Sequence, residues 1–220
     1  MKKIFIIAAM ALAGMTSANA QEFKVGAKAG FLMSDVSFTK LYSSGIETIK
    51  IETAFNPGFH FGAFIEYGFN EKIWVEAGVD YAFQGAKLKS YYESSIMGKL
   101  NLKSSSKWAT QQLNVPIWFK YDINGFRPKV GVNLGFLSKV NAEMKAEDIK
   151  LTRSLTPDKK FDFGVGLGAE YNLPMGLFFD ATFNLGLTEL STKAYSKDSD
   201  AFPSAKFKNR VIQVGVGYKF

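Results

Sequence analysis

From residue 209 to residue 220, hydrophobic and polar positions alternate. Ile212, Val214, Val216, Tyr218 and Phe220 fall on one face, and Val211, Gln213, Gly215, Gly217 and Lys219 on the other. A period of two places successive side chains on opposite faces of a β-strand. The apolar face here is aliphatic in its middle and aromatic at its end, as expected where a strand meets lipid and its aromatic end sits at the membrane interface. Seven earlier segments repeat the pattern, which predicts further strands over 23–31, 59–69, 73–84, 112–121, 126–137, 162–171 and 177–188. Each is close to the roughly 9–11 residues that a tilted strand needs to cross a bilayer.

Across these eight strands the apolar face has 43 positions and no charged residue. The opposite face holds six acids, Glu66, Glu76, Asp80, Asp162, Glu170 and Asp180, and six bases, Lys24, Lys28, Lys120, Arg127, Lys129 and Lys219. A charge on a lipid face costs about 2–4 kcal/mol near the bilayer centre, so an uncharged face is what lipid contact demands. A soluble sandwich would turn its apolar faces together and its charges to water, and a lipocalin-like closed barrel would need an apolar interior. The prediction is an all-β protein: an eight-stranded antiparallel up-and-down transmembrane β-barrel. Eight strands enclose room for side chains or one small ligand. Opposite charges in so narrow a lumen should pair, giving a plugged interior. The alternative is a narrow pore for ions or small solutes. Gly164, Gly166, Gly168, Gly215 and Gly217 leave inward space for neighbours such as Trp74 or Trp118. The first three form no nucleotide loop, since they lie within a strand and no helix follows.

The connections alternate in length. The segments 70–72, 122–125 and 172–176 carry the Asn, Gly and Pro of tight turns, whereas 32–58, 85–111, 138–161 and 189–208 are long. Three short periplasmic turns and four long extracellular loops follow from the usual asymmetry of outer-membrane barrels. Tyr67, Tyr121 and Tyr171 each precede a short turn and Tyr218 ends the series, which predicts a periplasmic aromatic girdle. Alternation within the long segments, at 47–53, 87–92 and 99–103, predicts that some strands continue beyond the membrane as hairpins.

Composition adds export. Lys2 and Lys3, the apolar run 4–12 and the small-x-small site Ala18-Asn19-Ala20 before Gln21 read as a cleaved signal peptide over 1–20, with cleavage between Ala20 and Gln21. The mature chain, 21–220, is then a single barrel domain, and its formal charge falls from +7 to +5. There is no cysteine, which excludes disulfides and thiolate metal sites. After residue 20 no stretch approaches the roughly 20 apolar residues of a membrane helix, yet aromatics make up 15% of the chain, with 21 Phe.

Six segments carry a resemblance to a known family. They are 57–67, 79–87, Leu113-Asn-Val-Pro-Ile-Trp-Phe-Lys-Tyr121, Asp162-Phe-Gly-Val-Gly-Leu-Gly-Ala-Glu-Tyr171, 183–188 and the last strand. Together the chain resembles the small outer-membrane β-barrels of Bacteroidetes, the PorT-like or porin-family barrels, over nearly all of its mature length. In architecture it is also similar to the OmpA and OmpX barrels. The resemblance implies a Gram-negative outer membrane and insertion by the outer-membrane assembly machinery, which reads a terminal strand ending in Phe, here Tyr218 and Phe220. It also implies a link to protein secretion, as in some relatives. It carries over no catalytic motif.

Candidate chemistry is sparse. His60 is the only histidine. Barrel enzymes that act on lipids with a His and a Ser exist, but no Ser or acid can be placed beside His60 from sequence. One His and no Cys give no transition-metal site, and the aspartates lack calcium-loop spacing, so no cofactor or metal is expected. The loops are more informative. Segment 85–111 has Lys87, Lys89, Lys99, Lys103 and Lys107 against Glu93, and 138–161 has six basic and four acidic residues. This positive excess projects outward, where lipopolysaccharide phosphates would attract it. The expectation is a non-enzymatic monomer with a structural or surface-interaction role. Its partners are outer-membrane lipid, lipopolysaccharide and an unidentified protein at the loops, and not nucleic acid.

Overall fold

The computed structural model describes residues 22–40, 48–94, 98–100, 105–146, 149–193 and 205–220. The signal-peptide reading over 1–20, with Ala20 and Gln21, lies outside the described residues, as does part of the strand-like segment 99–103.

Among the described residues eleven strands follow in chain order: β1 (Glu22–Lys40), β2 (Thr48–Gly68), β3 (Ile73–Ser94), β4 (Gly98–Leu100), β5 (Ser105–Tyr121), β6 (Phe126–Ala146), β7 (Ile149–Lys159), β8 (Phe161–Asn172), β9 (Leu177–Gly186), β10 (Leu190–Lys193) and β11 (Ala205–Lys219). Eight of them close a ring of antiparallel ladders, β1–β2–β3–β5–β6–β8–β9–β11, sealed where β11 pairs with β1. Closure leaves no edge within the ring, the only way a sheet can satisfy its backbone in lipid.

Of the three extra strands, β4 overlaps the strand-like segment expected at 99–103, and β2 and β3 extend over the segments expected at 47–53 and 87–92, whereas β7 and β10 lie where only loop was read. β7 precedes β8 with only Lys160 between them, and β10 follows β9 after residues 187–189. Beyond that break the wall runs β6–β7–β10–β11, and β4 pairs with the end of β3. The strand expected over 177–188 therefore ends at Gly186, and the long segments are largely extensions of the ladders.

Three turns close the other end. Asn70 Oδ1 accepts the amides of Lys72 and Ile73 at 2.9 and 2.8 Å. Asp122 Oδ1 accepts the Gly125 amide at 3.0 Å. Asn124 and Gly125 follow at φ 53° and 87°, a left-handed pair that only Asn and Gly adopt readily.

Side chains alternate as the ladder requires. The outward positions include Phe31 at 76% exposure and Phe220 at 80%, with Val130, Leu167, Phe179, Val214 and many others exposed. An apolar band of this extent belongs in hydrocarbon. Above it the polarity reverses. On β11 Lys206, Lys208 and Arg210 point outward while Phe207 and Val211 are buried. Val36, Ala86, Trp108, Leu137, Val140, Leu190 and Phe207 form an inner apolar core at the loop end.

Candidate functional site

The lumen is filled in three layers. Near the turns lies an ion cluster, set by three like-charged cross-strand pairs. Glu66 faces Glu76 on β2–β3, Lys120 faces Lys129 on β5–β6, and Glu170 faces Asp180 on β8–β9. Like charges directly opposite repel, so each pair needs compensation from another hairpin. Lys120, fully buried, supplies most of it. Its ammonium lies 2.5 Å from Glu76, 2.6 Å from Glu170 and 3.3 Å from Glu66. Lys28 meets Glu76 at 3.0 Å, and Arg127 meets Glu66 at 2.8 Å and also Asp122. Lys219 reaches Glu66 at 2.8 Å and Glu170, and Lys129 pairs with Asp180. Aromatic faces cover the cations. Arg127 stacks on Trp74 at 4.2 Å, Lys129 on Trp118 at 4.9 Å and Lys219 on Phe178 at 4.9 Å.

The middle layer is built from amides. Asp162 accepts from Gln112 at 3.1 Å, Asn209 at 2.8 Å and Thr188 at 3.3 Å. Gln112 and Asn133 both donate to Asn114 Oδ1 at 3.0 Å. A cavity of about 30 Å³ lies among these side chains and Trp118, room for a water or two. The third layer is the apolar core, where Trp108 packs edge-on to Phe207 at 5.7 Å. Beneath it Leu32, Ala82 and Val211 form a second apolar group.

Of the twelve inward charges read from sequence, eleven are buried, and Lys24 sits half-exposed at the turn end beside Glu22 at 3.0 Å. Asp80 and Asp162 stand apart from the ion cluster. Asp80 bonds the Nδ1 of His60 at 2.9 Å, a diagonal pair that depends on the β2–β3 register and so could not be read from spacing. The Nε2 of His60 has no partner, and no nucleophile stands within hydrogen-bond reach of the ring among the described residues. Gly166 receives the Trp118 ring, while Gly217 receives Phe178. Tyr121, Tyr171 and Tyr218 are exposed and Tyr67 is half-buried, all at the turn end. The apolar core at the loop end was missed from sequence. Its signal is the reversal of polarity between Phe207 and Ile212.

At the loop end Lys87, Lys107, Lys139, Lys159, Lys160 and Arg210 are exposed just beyond the apolar band. Lys87 and Lys107 face one another across β3–β5. Among the described residues the acids of that region include exposed Asp158 and half-exposed Glu143, which faces Lys107 across β5–β6.

The family description "Outer membrane protein beta-barrel domain" matches residues 5–220. No curated protein matches the chain. Solved structures with a similar fold include the outer membrane protease OmpT of Escherichia coli (TM-score 0.50, 11% identity, covering 94% of this chain and 99% of that one). OprG from Pseudomonas aeruginosa is similar at TM-score 0.49 and 15% identity, over 92% of this chain and 98% of that one. Neisserial surface protein A is similar at TM-score 0.45 and 14% identity, over 92% and 100%. At these identities the likeness shows the fold alone.

Proposed function

This chain belongs to the outer membrane protein beta-barrel domain family, and from that premise we propose that it is a non-enzymatic, non-conducting barrel acting through its outer rim and loops. The barrel resides in the outer membrane. The observation that carries the reading is the double closure of the lumen, by the Lys120 ion cluster toward the periplasm and by the Trp108–Phe207 core toward the outside. A pore would need both to open. An enzyme acting through His60 would need a nucleophile beside it, and among the described residues its partner is Asp80.

The rim would engage lipopolysaccharide. Lys87 and Lys107 stand opposite one another at the outer boundary; Glu143 faces Lys107 from the other side, and Lys87 is an exposed charge of the pair that a phosphate would meet. A protein partner would add to the extended strands. Among the described residues β1 and β2 pair up to Ser34 and Asn56, while both continue outward, and these outer edges would accept an extended segment. A secretion role, and a closer tie to the PorT-like barrels of Bacteroidetes, belong to this proposal and would act through the same loops.

Single-channel recording of the refolded protein in a planar bilayer tests the reading. A silent bilayer, with folding established by heat-shifted gel mobility, is the expected result. Reproducible conductance steps would overturn it.

A further inference from the structure

The barrel exterior is not smooth: one depression lies over Gly131 and Gly166, and another lies at the β1–β11 seam. At the β1–β11 seam the outward face of β1 thins to Ala29, flanked by Phe61 on β2 and Val216 on β11, with Phe179 beyond. Phe31, Phe59 and Val214 form the row above. The result is a shallow, open apolar depression over Ala29, Gly30 and Gly215.

The same strand that borders this shallow groove carries cations above it. Lys206, Lys208 and Arg210 occupy three successive outward positions of β11. Lys206 lies 3.8 Å from Glu189. Arg210 is exposed and Lys208 half-exposed, and no ion pair holds either among the described residues. The nearest acid by register is Asp35, which faces Arg210 but is buried and accepts the Val36 amide at 2.8 Å.

The spacing fits an amphiphile. Val216 to Arg210 spans about 20 Å of strand. At a tilt of about 40° this covers about 15 Å of depth, half of the roughly 30 Å hydrocarbon core. A chain lying in the groove would bring its headgroup to Lys208 and Arg210.

We propose that the β1–β11 seam is a specific site for one phosphorylated glycolipid of the lipid A class, with an acyl chain in the Ala29 groove and a phosphate on Lys208 and Arg210. The site rests on the reading that the outer rim engages lipopolysaccharide, and it names where. Arg210 supplies a planar fork for a phosphate and Lys208 a point charge. The apolar walls select for chain contact rather than for the headgroup alone.

Native mass spectrometry of the refolded protein in a zwitterionic detergent, with lipid A as the probe, tests the site. Wild type should retain one lipid A. The double reversal Lys208→Glu with Arg210→Glu should lower its occupancy by about tenfold or more, and Ala29→Phe should do the same by filling the groove. Lys139→Glu, on the far side of the barrel, should have no effect. Heat-shifted mobility checks folding, and Ala29→Leu replaces Ala29→Phe if the larger residue prevents it. Retention of phosphatidylglycerol as tightly as lipid A would overturn the assignment. So would lipid A binding that ignores the groove and stripe variants but falls with Lys139→Glu or Lys107→Glu, a result that would leave the rim reading standing. Absence of lipid A from wild type would overturn both.

Discussion

Replacing Lys120 with methionine should be among the most damaging single changes in the barrel. The substitution keeps the length of the side chain and removes the ammonium that Glu66, Glu76 and Glu170 share at 3.3, 2.5 and 2.6 Å. Two short charge-assisted hydrogen bonds disappear, and the cluster is left with one excess negative charge in a fully buried site. Stripping one partner from a buried ion pair costs roughly 3–5 kcal/mol. Each acid keeps another cation, Glu76 with Lys28, Glu66 with Arg127 and Lys219, and Glu170 with Lys219. The lower end of the range, about 3 kcal/mol, is therefore expected. Adding Glu170→Gln restores charge balance, so the double variant should be more stable than Lys120→Met alone by about 1–2 kcal/mol, a coupling that independent sites do not show. Urea unfolding in lipid vesicles, followed by tryptophan fluorescence, measures both. Trp74 and Trp118 lie against the cations of the cluster and report on it directly. A loss below about 1 kcal/mol for Lys120→Met, or a double variant less stable than the single, would refute this account of the interior.

Three other outcomes are expected. Val130, exposed on the lipid face, should cost about 2–4 kcal/mol in vesicle refolding when changed to Arg, and a neutral result would contradict lipid contact there. Gly166→Leu should destabilise by about 1–3 kcal/mol, because a Cβ at that position would lie 2.5 Å from the Trp118 ring and from Asn184 Oδ1; an unchanged urea midpoint would show that the ring can yield. Asp122, in a turn, is subject to burial that raises its pKa, but the Gly125 amide and the Arg127 guanidinium outweigh it and hold the carboxyl below its ordinary value. An acid depressed in the folded state contributes stability above its unfolded pKa, near ~3.9, and loses it as pH falls through the lower folded value. Wild type should therefore lose more stability than Asp122→Asn on acidification below about pH 5, and equal acid sensitivity would remove Asp122 from the account.

The membrane-spanning ring could be read from the chain because lipid imposes one rule on every outward position, from Phe23 to Phe220. The extensions were harder. Outside the lipid the rule reverses, so Phe207 turns inward where Ile212 turns outward on the same strand. A search for one polarity stops at that point and counts the rest as loop, which is how β7 and β10 were missed. The inward charges were legible by face, but their partners were not. Contacts such as Lys120 with Glu170, fifty residues apart, and His60 with Asp80 depend on ladder register, which alternation alone does not fix. The groove at Ala29 was equally hidden, since it arises from small residues on neighbouring strands that only the register brings together.

The alternation of sign around the ring bears on how the barrel comes to be built. Each hairpin above a short turn carries a matched pair, acidic on β2–β3, basic on β5–β6 and acidic on β8–β9, so no hairpin is electrostatically content by itself. Compensation arrives only as successive hairpins join. It is completed by Lys219 on the last strand, whose contact with Glu66 on β2 forms only when β11 meets β1. A ring that closed early without β8 and β9 would lack Glu170 and Asp180, leaving Lys129 without its partner and Lys120 with fewer acids. The interior thus counts strands. Only the full set of eight brings every charge of the cluster to an opposite one.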